Sequence, residues 1–269
     1  MTVSSGSPQK WFSFYCRSGY GESLLDHVRG MLGYDPGARI VRIGMSETDD
    51  FELGLKLAIA FHDAGKIPFS EERQFGGFYK GDTLTFTGHE FLSYIILDKA
   101  FHLPLSGLGN LTLKAVKLSV LLHHHPQNIK ARFISLRSKA KSFSKITCRA
   151  FVLKKSSVMA FVDDLNDLKA FEPSLLAQIR SNLQKSLEDV IDISHIINQY
   201  ESEITNYSRN PFKKEEELNR GMRIFMPMLL ALITMDYVSA ANRQPCSGSS
   251  TTNTTKFSEV ARDFYRFYL

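Results

Sequence analysis

Ala58-Ile-Ala-Phe-His-Asp-Ala-Gly-Lys-Ile67 sets a histidine and an aspartate side by side at the end of an apolar run. Leu53, Leu55, Leu57, Ile59 and Phe61 lead into it, and their spacing predicts a helix over Glu52 to Phe61. Burying an ionised carboxylate without a partner is costly, so Asp63 needs a cation or a hydrogen-bond network, and a metal ion is the simplest such cation. Gly65 is expected to end the helix in a left-handed conformation, with His62 and Asp63 in the last turn and Lys66 just beyond. Taken alone, the doublet is as well read as a surface or capping pair. Its company in the rest of the chain decides.

The 269 residues are 43% hydrophobic and 23% charged, the composition of an ordinary soluble globular protein able to bury a sizeable core. Cys16, Cys148 and Cys246 lie far apart and form no C-x-x-C pair, which argues against a disulfide framework or a zinc ribbon and for a reducing, cytoplasmic setting. The first residues lack the basic and apolar regions of a secretory signal. The longest apolar run, Phe225 to Met235, is about half a membrane span, so no membrane association is expected.

The net charge of +5 is unevenly spread. No Asp or Glu occurs between Asp98 and Asp163, an interval that holds Lys130, Arg132, Arg137, Lys139, Lys141, Lys145 and Arg149. Spaced cations of this kind neutralise successive phosphates, so these seven are the candidate nucleic-acid contacts, with Phe133 and Phe143 available for base stacking. A solvated loop is the plainer alternative. The stretch 130–155 reads as a basic insert whose secondary structure the pattern leaves open.

Elsewhere helical periodicity dominates. Glu22 to Leu32 predicts an amphipathic helix with His27 near its inward face. Pro68 to Phe86 is Gly-rich and suits a short β-hairpin. Thr87-Gly-His-Glu90 fits a capping box, with Thr87 as cap and Glu90 reaching back, which puts His89 in the first turn of a helix. Leu113 to His125 predicts another helix stopped by Pro126, with His123 and His124 in its last turn and His125 already outside. Further helices are predicted over Val158 to Phe171, Ser174 to Val190, Ile193 to Tyr207 and Lys213 to Ala241, the last kinked at Pro227 and carrying Asp236. Residues 244–255 are of low complexity and expected to be mobile, followed by a short aromatic helix over 257–268.

His27, His62, His89, His123, His124 and His125 thus fall at helix ends or inward positions, whereas His102 and His195 read as structural or exposed. Imidazole with carboxylate suits Mn, Fe, Co, Ni or Zn, with Mg possible where oxygen ligands dominate. The candidates are too many for one ion with an open position, so two divalent ions are expected. The order H…HD…H…HH…D resembles the HD superfamily of metal-dependent phosphohydrolases. His62-Asp-Ala-Gly-Lys66, Gly88-His-Glu90, His123-His124 and Asp236-x-x-Ser-Ala240 are most similar to the HD nuclease of type I CRISPR interference, in the form separate from its helicase.

That resemblance implies an all-α, helical-bundle HD domain over 1–243. It implies one metal held by His27, His62, Asp63 and Asp236 and a second held by the bridging Asp63 with His89, His123 and His124. Asp63 and Lys66 become the catalytic pair, Lys66 on the scissile phosphate. His125 stands where many relatives have glycine, so His124-His125 is the alternative ligand pair. The implied activity is hydrolysis of DNA, single-stranded, beside a separate helicase and a CRISPR RNA-guided effector complex. The rival readings are an HD-type cyclic dinucleotide or small-nucleotide phosphodiesterase and a non-catalytic nucleic-acid-binding assembly subunit that keeps the site as a metal clip. No G-Y-P follows His89, and a small nucleotide gives no use to the carboxylate-free stretch.

Overall fold

The chain enters its fold through an antiparallel pair, β1 (Phe12–Tyr15) and β2 (Gly21–Ser23), and turns at once into α1 (Leu24–Leu32). Ser23 caps α1 by accepting from the Asp26 amide, satisfying a donor that the helix start leaves open. The computed structural model describes residues 11–71, 78–124, 129–212, 215–241, 246, 260, 263–264, 266 and 268–269. Next come α2 (Arg39–Glu47), which periodicity had not suggested, and α3 (Phe51–Phe61). The second half of α3, from Leu57 to Phe61, is buried on every side, as befits a central helix.

His62 caps α3, and Asp63 follows it into a single 3-10 turn, Ala64–Lys66, that leads directly into α4 (Ile67–Glu71). The doublet therefore sits just beyond the helix. Gly65 is not left-handed, contrary to expectation: its backbone lies against the start of the next long helix. A Cβ there would stand 1.9 Å from the His89 carbonyl oxygen, so close approach, rather than positive φ, requires glycine.

The hairpin is present as β3 (Tyr79–Lys80) and β4 (Thr83–Leu84), turning at Gly81 with φ +60°. It is followed by α5 (His89–Ala100) and α6 (Asn110–Leu122). The capping box does not form. Gly88 is the cap, in a left-handed conformation with φ +85°, and Glu90 turns away to Arg132.

The basic stretch is a helix, α7 (Ile129–Thr147), whose Phe133, Leu136, Ala140 and Phe143 form one buried stripe. Then follow β5 (Val152–Lys154), α8 (Lys155–Asp164), α9 (Pro173–Ser186), β6 (Val190–Asp192), α10 (Ile193–Arg209) and α11 (Glu215–Ala241). β5 and β6 pair antiparallel, so the strands on record are short two-stranded pairs on an all-α fold. α11 continues through Pro227 and packs on α2, α3 and α6. By length and composition α11 could cross a membrane, yet half of its most apolar window is buried in the protein.

One expectation about the ends needs correction. Cys16 and Cys246 form a disulfide, with Cα atoms 5.8 Å apart, because the fold returns the end of α11 to β1 and the sequence separation of 230 is no obstacle. The cysteine pattern thus does not argue for a reducing setting. Of 244–255 only Cys246 is described, so the mobility expected there lies outside the described residues. Within 257–268 the described residues are helical, and Phe264 stacks on Tyr268.

Candidate metal centre

Five pieces of chain converge on Asp63: α1 with His27, the end of α3 with His62, the start of α5 with His89, the end of α6 with His123 and His124, and α11 with Asp236. His27, His62, Asp63, His89, His123 and Asp236 are buried, and His124 is half-buried.

The two carboxylate oxygens of Asp63 face different partners. Oδ2 lies 3.6 Å from His27 Nε2 and 3.4 Å from His62 Nε2, while Asp236 Oδ1 closes that side at 3.2 Å from His27 Nε2. Oδ1 lies 2.9 Å from His89 Nε2 and 4.0 Å from His123 Nε2, and His124 Nε2 sits 3.0 Å from His89 Nε2. One carboxylate thus joins a half-site of His27, His62 and Asp236 to a half-site of His89, His123 and His124.

The histidines are aimed by their other nitrogens. His62, His89 and His123 each donate Nδ1–H to the carbonyl three residues back, of Ile59 at 2.8 Å, Phe86 at 2.6 Å and Val120 at 2.6 Å. In its neutral form each ring would carry its lone pair on Nε2, directed at the centre, which is the tautomer a metal needs. His27 Nδ1 is held by Ser239 Oγ at 3.0 Å, with Glu22 at 3.4 Å. His62 Nε2, His123 Nε2 and Asp63 Oδ1 are buried without a hydrogen-bond partner among the described residues. Three orphaned acceptors pointing at one centre are costly in a protein interior unless a cation fills it, so the donor set fits divalent metal.

Electrostatics agree with a site built for cations. Burial alone would raise the carboxyls, yet His62 and Lys66 hold Asp63 well below the usual range, and His27 and His62 do the same for Asp236. Burial opposes protonation of His62, but Asp63 and Asp236 outweigh it and push the ring up to about 10. Burial, with His62 and His89 adding to it, lowers His123 to about 3, and burial with His123 and His89 lowers His124. Those two rings stand neutral, ready to bind.

Lys66 does not project freely. Its Nζ lies 2.6 Å from Asp63 Oδ2 and donates to the Ser13 carbonyl at 3.2 Å. Ser13 Oγ also reaches Asp63 Oδ2, at 3.3 Å. Ser93 fastens the doublet to α5, donating to the His62 carbonyl at 2.7 Å and accepting from the Gly65 amide at 2.8 Å. Sequence reasoning missed Ser13, Glu22 and Ser93, because a serine or glutamate many residues away carries no periodic signal. Ser239 could have been found: it lies one helical turn after Asp236 and faces the same way. His102 and His195 are exposed, and His125 lies outside the described residues.

The seven basic candidates divide. Lys130, Lys141, Lys145 and Arg149 are exposed, whereas Arg132, Arg137 and Lys139 are half-buried and engaged by Glu90, Glu201 and the Thr85 hydroxyl. Burial lowers the Lys139 pKa. Phe133 and Phe143 belong to the core and are not available to stack on bases, since the helix turns its aromatic stripe inward.

Residues 37–157 match the family model described as HD domain. The chain therefore contains an HD domain, and this supports a metal-dependent phosphohydrolase of the HD superfamily, which binds divalent metals. No curated protein and no solved structure matches the chain. The matched span contains His62, Asp63, His89, His123 and His124. His27 and Asp236 lie outside it, and the fold itself brings them to the same carboxylate.

Proposed function

We propose that the protein is a dinuclear metal-dependent nuclease that hydrolyses phosphodiester bonds of DNA, single-stranded in preference, in CRISPR antiviral defence. A separate helicase and an RNA-guided effector complex would supply the strand. The observation that carries the metal count is Asp63, whose two oxygens face two half-sites. A pair of Mn, Ni, Co or Fe ions, when bound, polarises the phosphodiester, acidifies a water and stabilises the leaving oxygen. His27, His62 and Asp236 would hold one ion, and His89, His123 and His124 the other, with Asp63 shared. Lys66 lends positive charge beside the bridging carboxylate, and the exposed Lys130, Lys141, Lys145 and Arg149 give a long polyanion a surface to follow. The type I CRISPR assignment rests on the motif resemblance.

The test is to incubate the purified protein with Mn²⁺, Ni²⁺ or Mg²⁺ and either single-stranded DNA or cyclic dinucleotides. Metal-dependent cleavage of the strand is expected. Hydrolysis of cyclic dinucleotides alone would replace this reading with the phosphodiesterase one, and binding without hydrolysis of either would leave an assembly subunit.

A further inference from the structure

Glu90 is a third buried carboxylate at the metal centre, after Asp63 and Asp236, and no ligand role uses it. It follows His89 in the first turn of α5, is 2% exposed, and has its Oε2 3.8 Å from His89 Nδ1. Its Oε1 accepts from Nε of Arg132, and Oε2 has no hydrogen-bond partner among the described residues.

The guanidinium it holds is 31% exposed. Through Glu90 it stands one side chain away from His89, on the α5 side of the centre. Only Nε is engaged among the described residues, which leaves the two terminal nitrogens of the fork pointing elsewhere.

We propose that Arg132, aimed by Glu90, grips the phosphate adjacent to the one being cut. This rests on the nuclease reading and gives it a fixed point of register. Lys66 already spends two of its donors on Asp63 and the Ser13 carbonyl, whereas Arg132 offers a planar, paired set matched to two phosphate oxygens. Glu90 acts through Arg132 and is a positioning residue.

The experiment uses the full chain, a labelled single-stranded oligonucleotide and bis-p-nitrophenyl phosphate, with Arg132→Lys and the double variant Glu90→Gln/Arg132→Ala. The double variant keeps no unpaired buried charge, and a melting curve checks that it folds. Fluorescence polarisation in EDTA should show oligonucleotide affinity about tenfold weaker in both variants, because lysine keeps the charge but loses the fork. With Mn²⁺ the KM for the oligonucleotide should rise about tenfold more than any loss on the small diester. Folded variants with wild-type affinity and KM would overturn the proposal, as would equal losses on both substrates, which mark a structural tie. A wild-type protein that neither binds nor cuts the oligonucleotide would instead overturn the nuclease reading, and this inference with it.

Discussion

In the candidate metal centre His27, His62, His89 and His123 are buried and each is held by a second partner, whereas on α7 the cations divide between a half-buried, paired face and an open one. The difference follows from what each surface must do. A metal ligand has to present one lone pair in one direction, so His62, His89 and His123 give their other nitrogen to a carbonyl and lose their freedom. A phosphate track needs only charge at a suitable spacing, so side chains such as Lys141 and Lys145 can stay unfixed. Where an α7 cation is held, as at Arg132 and Arg137, the holder is a carboxylate of another helix.

The sharpest way to break this contrast is at Asp63. Asp63→Ala should abolish hydrolysis and remove both ions, whereas His27→Ala and His124→Ala should each remove one. Metal analysis after dialysis against Mn²⁺ checks it. A variant Asp63→Ala that keeps one tightly bound ion would mean that the carboxylate does not bridge.

The next effect is on the scaffold. Gly65→Ala places a methyl against the His89 carbonyl and the Ser93 amide, both backbone, so α5 must move rather than a side chain. A loss of about 3 kcal/mol is expected by analogy with overpacked cores. Chemical denaturation measures it, and a variant as stable as the wild type would show that the two segments are not in contact.

The side chains that meet at Asp63 were legible for a physical reason: metal chemistry tolerates few residue types, and His and Asp at helix ends stand out from an apolar pattern. The all-α fold was legible from the same periodicity. What could not be read was local competition. Thr87-Gly-His-Glu90 looks like a capping box, but Arg132, distant in sequence, gives Glu90 a charged partner, and the helix is capped by Gly88 instead. Gly65 looks like a helix terminator, but its position is dictated by α5. The basic stretch hid its stripe because Phe133, Leu136, Ala140 and Phe143 are outnumbered by polar neighbours.

On the open face of α7 and just past its end, neutralising Lys141, Lys145 and Arg149 together should flatten the salt dependence of single-strand binding by roughly 2 in log–log slope, since each contact contributes about 0.7. An unchanged slope would make this face a solvated surface or a site for a protein partner.

The smallest effect is expected on the paired face, and it separates the two faces most directly. Arg137→Gln with Lys139→Gln removes two cations from the same helix, yet Arg137 is paired with Glu201 on α10 and Lys139 is partly buried on the Thr85 hydroxyl. A charge already matched by a carboxylate releases few counterions when DNA arrives, so the salt slope should fall by clearly less than the roughly 2 expected of the open face. The Arg137 and Glu201 pair is itself about one-third exposed, so its loss should cost only about 0.5 kcal/mol of stability. Binding measured over a series of salt concentrations, beside a melting curve, reads both quantities in one preparation. If the paired face flattens the slope as much as the open one, the ion pairs open on binding and α7 presents both of its faces to the strand.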